Sequence, residues 1–394
     1  MKYIADIVEE LRRGVSKGLR ITKEDVASKP VELLDEAPER QVEVLEGPLV
    51  KGLEVMHRKP VSDVFALDSG SRVIETPYVF IAVGAGSVFS RFSGRGIDVP
   101  HTASILGLEE PLCKHIVVVP EVELGEGDAS ALKSLPGVLS SNPIGVPYTS
   151  EYNKHLILVE LRLAVENCIL SLFHESRHCE PGTVVFVDGP LIYPLHVSGE
   201  IGVPGKDRAR MYLEGLRELN MLRVRTLTKL VEKGIVVIGI VKRLLRSYYL
   251  SSLDPARLSL SKVNDEVYVL TLLAGRGYAS DKPLLIGPVK VKHDVEKMNR
   301  IVWYVVMPRR LYPLASGLGN HVVYRVEIPE NKSYTSEEAL NHVFYDSVYT
   351  GSLLPLSLLA VDRRVKKITS SIVTYLLYMT GLPEESTGQY ISIL

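Results

Sequence analysis

Cysteine is scarce in this chain of 394 residues: Cys113, Cys168 and Cys179 stand at no paired spacing. That excludes a disulfide-stapled secreted scaffold and predicts reduced thiols in a cytoplasmic protein with no disulfide framework. Long apolar runs are missing as well. None approaches about 18 residues without a charge, so no membrane span is expected. The opening MKYIADIVEELRRGVSKGLR is amphipathic and charged, lacking the apolar core and cleavage site of a signal peptide. An excess of charge is absent too, with 46 Lys+Arg against 47 Asp+Glu. The chain is therefore not a strongly basic binding module, and any nucleic-acid contact must come from local patches. Internal repeats and low-complexity segments are also lacking.

What is present is an ordinary globular composition, 46% hydrophobic and 24% charged. Residues 1–55 read as a helical appendage broken by Lys29-Pro30 and Ala37-Pro38, and residues 56–394 as the main domain. Three strand-like runs follow the appendage: VFALDS (64–69), YVFIAVGAGSVFS (78–90) and HIVVVPEVEL (115–124). Gly84 and Gly86 suggest a bulge or bend in the second. A helix over about 150–175 comes next, then strand TVVFVDGP (183–190), a helix over 206–233 and strand IVVIGIVK (235–242). EVYVLTLL (266–273), IVWYVVMP (301–308) and HVVYRVEIP (321–329) read as further strands, and two helices at about 335–348 and 353–379 finish the chain.

Three strands, helix, strand, helix, strand is the element order of an RNase H-like α/β fold. Short links favour antiparallel pairing of the first three strands, and helical crossovers favour parallel pairing of the last ones. In that topology the first strand lies beside the fourth, which brings together two strand ends carrying Asp68 and Asp188. Neighbouring carboxylates repel unless a cation sits between them. Oxygen-only ligands suit Mg²⁺ or Mn²⁺ and the hydrolysis of phosphodiesters. The bland alternative is that Asp-Ser-Gly and Asp-Gly-Pro are turn formers. The helix before Asp188 offers a third carboxylate, Glu160 or Glu166, and its length admits either.

Lys242, Arg243 and Arg246 follow the last buried strand and are candidates for phosphate contact, with a solvated basic loop as the alternative. The basic helix face of Arg363, Arg364, Lys366 and Lys367 is a weaker candidate of the same kind. His174-Glu-Ser-Arg-His178 matches the zinc-protease pattern H-E-x-x-H, with Cys179 or His196 as conceivable third ligands. However, Glu180-Pro181-Gly182 stops the helix directly after it, which favours a polar helix end. Gly84-Ala-Gly86-Ser lacks the Gly-Lys-Ser/Thr of a phosphate loop, and Ser69 and Ser71 have no nucleophile-elbow context.

VFALDSGSR, VVFVDGPL, VVIGIVKRLLRSYYL, VVYRVEIP and GSLLPLSLLAVDRRVKKI occur in the order seen in NurA-family nucleases, which the chain resembles over about residues 60–370. The resemblance implies a manganese-dependent nuclease (Mg²⁺ being the alternative metal) acting on single-stranded DNA and on DNA ends from the 5′ side. It also implies a homodimer working with the HerA helicase–translocase in end resection for recombinational repair. Asp68 and Asp188 match the family's metal-binding aspartates, and Glu160 is the preferred match to its helix glutamate, with Glu166 in reserve. The family's Tyr-Pro pair and helix histidine correspond to Leu354-Pro355 and Asp362, and an aspartate can ligate a hard cation. The catalytic set so implied is Asp68, Glu160, Asp188 and Asp362. A non-catalytic homologue that only docks DNA or HerA is the alternative that the Asp362 departure motivates.

Overall fold

A computed structural model describes residue 6 and residues 41–52, 63–121, 131–194, 206–259, 263–275, 283–292, 297–308, 321–348, 351–380 and 391–392. Most of the expected N-terminal appendage, and His196, lie outside them. In chain order the strands are β1 (Gln41–Val44), β2 (Val50–Gly52), β3 (Val64–Glu75), β4 (Val79–Phe89), β5 (Gly96–Val99), β6 (Ile116–Pro120), β7 (Val184–Asp188), β8 (Val236–Val241), β9 (Leu284–Lys292), β10 (Arg300–Pro308), β11 (His321–Pro329) and β12 (Ile391–Ser392). The helices are α1 (Thr102–Ile105), α2 (Lys154–Glu175), α3 (Lys206–Glu232), α4 (Tyr249–Leu253), α5 (Asp265–Gly275), α6 (Ser336–Asp346) and α7 (Leu356–Thr380).

All the described strands join one mixed sheet, ordered β1-β9-β10-β11-β8-β7-β3-β4-β5, with β2 on β9, β6 on β4 and β12 on β3. Its centre is parallel: β3 pairs with β7 and β7 with β8. The β3–β4 and β4–β6 pairs on one side, and β9–β10–β11 on the other, are antiparallel. The centre is apolar on both faces, as a doubly covered parallel strand must be. Phe65, Leu67, Val185 and Val187 pack beneath α2 and α3. The alternate residues Val64, Ala66, Val184 and Phe186 pack against α6 and α7.

Helix α2 is started by Asn153, whose side chain accepts the Leu156 N–H. It buries Leu161, Val165, Ile169 and Phe173, spaced four residues apart, against the sheet. Each contributes about 1.5–3 kcal/mol by leaving water. The close approach of α2 to β4 explains two glycines. A Cβ at Gly86 would lie 2.5 Å from Ile169 Cδ1, and one at Gly84 would lie 3.0 Å from Leu161 Cγ. These glycines admit a helix into an unbroken strand, where the sequence suggested a bulge or bend.

Several expectations are corrected. Residues 265–275 form helix α5, whereas the β-branched composition of EVYVLTLL suggested a strand. Leu284–Lys292, unassigned from sequence, is strand β9. Residues 41–52 hold two strands of the main sheet, so the helical reading of the appendage fails there. Cys113 and Cys168 form a disulfide with Cα atoms 6.2 Å apart, overturning the expectation of reduced thiols. Their 55-residue separation gives no spacing signal; the fold closes it by seating α2 beside the segment that enters β6. No helix among the described residues is long and apolar enough to cross a membrane.

Candidate active site at the end of the parallel strands

The β3–β7 ladder runs from Val64↔Val184 to Leu67↔Val187. The next residue on each strand is an aspartate, Asp68 and Asp188. Alternation sends both side chains to the face covered by α7, since Ala66 and Phe186 already pack there. Asp188 ends β7, and Gly189 turns the chain with φ +121°, a conformation glycine takes without a Cβ penalty. Asp68, however, lies inside a strand that continues to Glu75, rather than at a strand end as the turn-like Asp-Ser-Gly-Ser suggested. The neighbour β7 ends there, and β3 runs on past it.

The loop after Asp188 is fastened on three sides. The Leu191 N–H donates to Glu327 Oε2 at 3.0 Å, the Arg223 Nε–H donates to the Leu191 carbonyl at 2.9 Å, and Asn220 pairs with both backbone groups of Tyr193. Glu327 is buried between Arg300 and Arg325. Burial alone would raise its carboxyl, but the two guanidinium charges hold it below the usual range. A buried ionic cluster of this kind leaves the backbone beyond β7 little freedom.

Both carboxyls of the pair are raised above their usual range. Burial, then the charges of Asp188 and Glu166, push the Asp68 carboxyl up to about 8 against the pull of Arg162 and Lys242. Burial also raises Asp188, against the opposing charge and hydrogen bond of Lys242. Lys242 Nζ lies 2.5 Å from Asp188 Oδ2.

Of the two helix glutamates, Glu166 is the one whose charge acts on this pair, and Glu160 is placed elsewhere. Ser69 Oγ donates to Glu166 Oε1 at 2.5 Å, and Arg223 Nη1 donates to Oε2 at 2.5 Å. The charge of Glu166 acts on both aspartates. Glu160, the preferred match from sequence, is buried under the hydroxyls of Tyr148 and Tyr152, which donate to it at 2.8–2.9 Å. Burial raises its carboxyl to about 7. The two glutamates are six positions apart, which on a 3.6-residue turn puts them on different faces of α2. Arg162, four residues before Glu166 and on its face, donates to the Ser69 carbonyl at 3.1 Å and lies in the field of both aspartates. Sequence reasoning missed it, although the i, i+4 spacing from Glu166 was available.

Asp362, on α7, adds its charge to the field at Asp188 and is paired with Lys366 at 2.8 Å. Leu354 packs against the apolar cluster under α7. Another residue missed from sequence is Asp98. It lies in register with Ser87, which lies in register with Asp68, so a polar row crosses β7, β3, β4 and β5. Arg364 grips Asp98 with two donors at 2.6 and 2.7 Å. Of the basic candidates, Lys242 reaches the aspartates, while Arg243 and Arg246 are exposed on the loop after β8. Arg363, Arg364, Lys366 and Lys367 are exposed on α7.

Among the described residues no three His, Cys, Asp or Glu side chains close into a ready metal cage. The donor chemistry nevertheless fits a hard cation: two carboxylates on adjacent strands, raised first by burial, with the charges of Glu166 and Asp362 acting on Asp188. The competing H-E-x-x-H pattern does not form a zinc site. Helix α2 ends at Glu175 with Ser176 as its cap, so His178 falls outside the helix, and its ring stacks on Phe65.

A NurA domain family model matches residues 62–367, a span that includes Asp68, Glu166, Asp188, Lys242 and Asp362. Among solved structures, the NurA nuclease from Sulfolobus solfataricus is 14% identical, with 84% of this chain and 87% of that one covered and a TM-score of 0.42. A structure of NurA with manganese is 10% identical, covering 79% and 86% of the two chains at a TM-score of 0.36. A structure of NurA bound to dAMP and manganese is 12% identical, covering 78% and 85% at 0.37. No curated protein matches the sequence. The family model spans well over half of the chain, and the protein belongs to the NurA family.

Proposed function

We propose that the protein is a metal-dependent DNA nuclease with an RNase H-like catalytic core. The observation that carries this reading is the pairing of Asp68 and Asp188 at the end of the parallel ladder, with their carboxyls raised by burial and repulsion. Such a pair is unfavourable by itself and becomes favourable with a divalent cation between its members. When bound, Mn²⁺ or Mg²⁺ would supply the positive charge that activates a water and stabilises the leaving oxygen.

The chain's own groups would set the geometry. Asp68 and Asp188 would hold the cation at fixed strand positions, and Asp362 on α7 adds its charge at Asp188. Glu166, fixed by Ser69 and Arg223, adds negative charge from the opposite face of the sheet. Arg162 and Lys242 supply positive charge for the phosphate, and Arg243 and Arg246 extend that charge along the strand's path. Family membership supports the finer reading. Single strands and DNA ends are the substrates, processed 5′ to 3′ and by single-strand endonuclease cleavage. A cytoplasmic homodimer acts with HerA in end resection for recombinational repair.

Cleavage of labelled single-stranded and duplex DNA in Mn²⁺, Mg²⁺, Zn²⁺ or EDTA, beside Asp68→Ala, tests the proposal. Manganese-stimulated cleavage that vanishes with EDTA and with the substitution is expected. No cleavage in any metal, with or without HerA, would leave the docking homologue as the reading.

A further inference from the structure

Lys242 stands immediately after β8, the strand beside β7, and its ammonium turns back onto Asp188. Lysine and aspartate are 27% and 12% exposed, so the pair sits at the mouth of the site rather than in the core. The oxygen that Lys242 holds, Asp188 Oδ2, is one a divalent cation would need. Two cations within a few ångströms of one carboxylate repel each other, and the singly charged, flexible one gives way. Arg162 is differently placed: its guanidinium is tied to the Ser69 carbonyl of β3. Lys242 has four methylenes of reach and the exposed Arg243 next to it, so the ammonium can leave Asp188 without moving the strand.

We propose that Lys242 is an exchangeable counter-ion. In the metal-free protein it neutralises Asp188; when a divalent cation takes that oxygen, the ammonium moves onto a non-bridging oxygen of the scissile phosphate. The exchange couples metal entry to substrate grip, because the phosphate receives Lys242 only after Asp188 has been handed over. No proton or bond changes hands at Lys242. This inference rests on the nuclease reading of the site.

The signature is a pair of opposite effects. Mn²⁺ affinity is measured by calorimetry on the full chain in alkaline anaerobic buffer, where protons compete least for the carboxylates, and single-turnover cleavage of single-stranded DNA is measured beside it. Lys242→Met binds Mn²⁺ about tenfold more tightly and cleaves at least about tenfold more slowly. Lys242→Arg, which keeps the charge, binds Mn²⁺ within about threefold of the natural chain. Unchanged or weaker Mn²⁺ binding by Lys242→Met overturns the exchange, and tighter binding with unchanged cleavage overturns the transfer to phosphate. If the natural chain binds Mn²⁺ but cleaves nothing, with or without HerA, the nuclease reading fails and the transfer to phosphate with it, while calorimetry still decides the competition at Asp188. A natural chain that binds no Mn²⁺ overturns both.

Discussion

Ser69 Oγ donates to Glu166 Oε1 at 2.5 Å, tying the strand residue after Asp68 to a helix on the opposite face of the sheet. That bond, together with Arg223 on the other oxygen, fixes Glu166 where its charge acts on both aspartates, whereas Glu160 is turned into a pocket of tyrosines. The two glutamates should therefore respond differently. Glu166→Gln lowers cleavage by about 100-fold and also costs about 3 kcal/mol of stability, because Arg223 is left buried without its partner. Glu160→Gln costs about 1–2 kcal/mol in thermal melts through its tyrosine contacts but leaves the cleavage rate within about threefold. Equal losses of cleavage in the two variants would contradict this assignment.

The Asp68 carboxyl gives the metal-free protein a pH signature. Its value in the fold, about 8, is raised from 3.8 by burial first and by the charges of Asp188 and Glu166 next. Between those values the folded state holds a proton that the unfolded chain has lost, so stability falls as pH rises through this window. Denaturant melts in EDTA should show that decline, and saturating Mn²⁺ should flatten it. Asp68→Asn removes the cost of burying an ionisable carboxyl and should stabilise the metal-free protein by about 1–2 kcal/mol while abolishing cleavage. A metal-free stability that rises across the window in the natural chain would contradict the assignment.

Gly86 connects packing to chemistry. A Cβ there would fall 2.5 Å from Ile169 Cδ1 and 2.9 Å from Val165 Cγ1, on either side of Glu166 along α2. Gly86→Ala should cost about 2–3 kcal/mol and reduce cleavage, since the helix must back away and take Glu166 with it. The double variant Gly86→Ala/Ile169→Ala makes room for the methyl group and should recover much of the rate. A rate untouched by Gly86→Ala would show that the seat of α2 does not set the site.

The Cys113–Cys168 disulfide closes a loop of 55 residues and lands two positions from Glu166. Reduction, or Cys113→Ser with Cys168→Ser, should lower stability by about 4 kcal/mol on the chain-entropy scale. Thermal melts with and without reductant read this directly. Melts indifferent to reductant would mean that the bridge is not formed in the isolated protein.

The aspartate pair was legible because both residues follow buried apolar runs whose order along the chain implies neighbouring strands. Alternation then settles the shared face. The continuation of β3 beyond Asp68 was hidden, because Asp-Ser-Gly-Ser is turn-like in composition and extended only through its pairing with β4. The choice between Glu160 and Glu166 was illegible for a related reason. α2 is buried on several sides, so hydrophobic periodicity does not mark which face meets the sheet. Asp98 carried no signal at all: its place depends on the register of β5 against β4. Helix α5 was mistaken for a strand because tertiary burial overrides the β-branched preference of its Val and Thr residues.

Anomalous diffraction from crystals soaked in Mn²⁺ tests the central claim most directly. The account predicts a peak within about 2.5 Å of carboxylate oxygens from both Asp68 and Asp188. A peak coordinated elsewhere, at His174 for example, with none between the two aspartates, would contradict it.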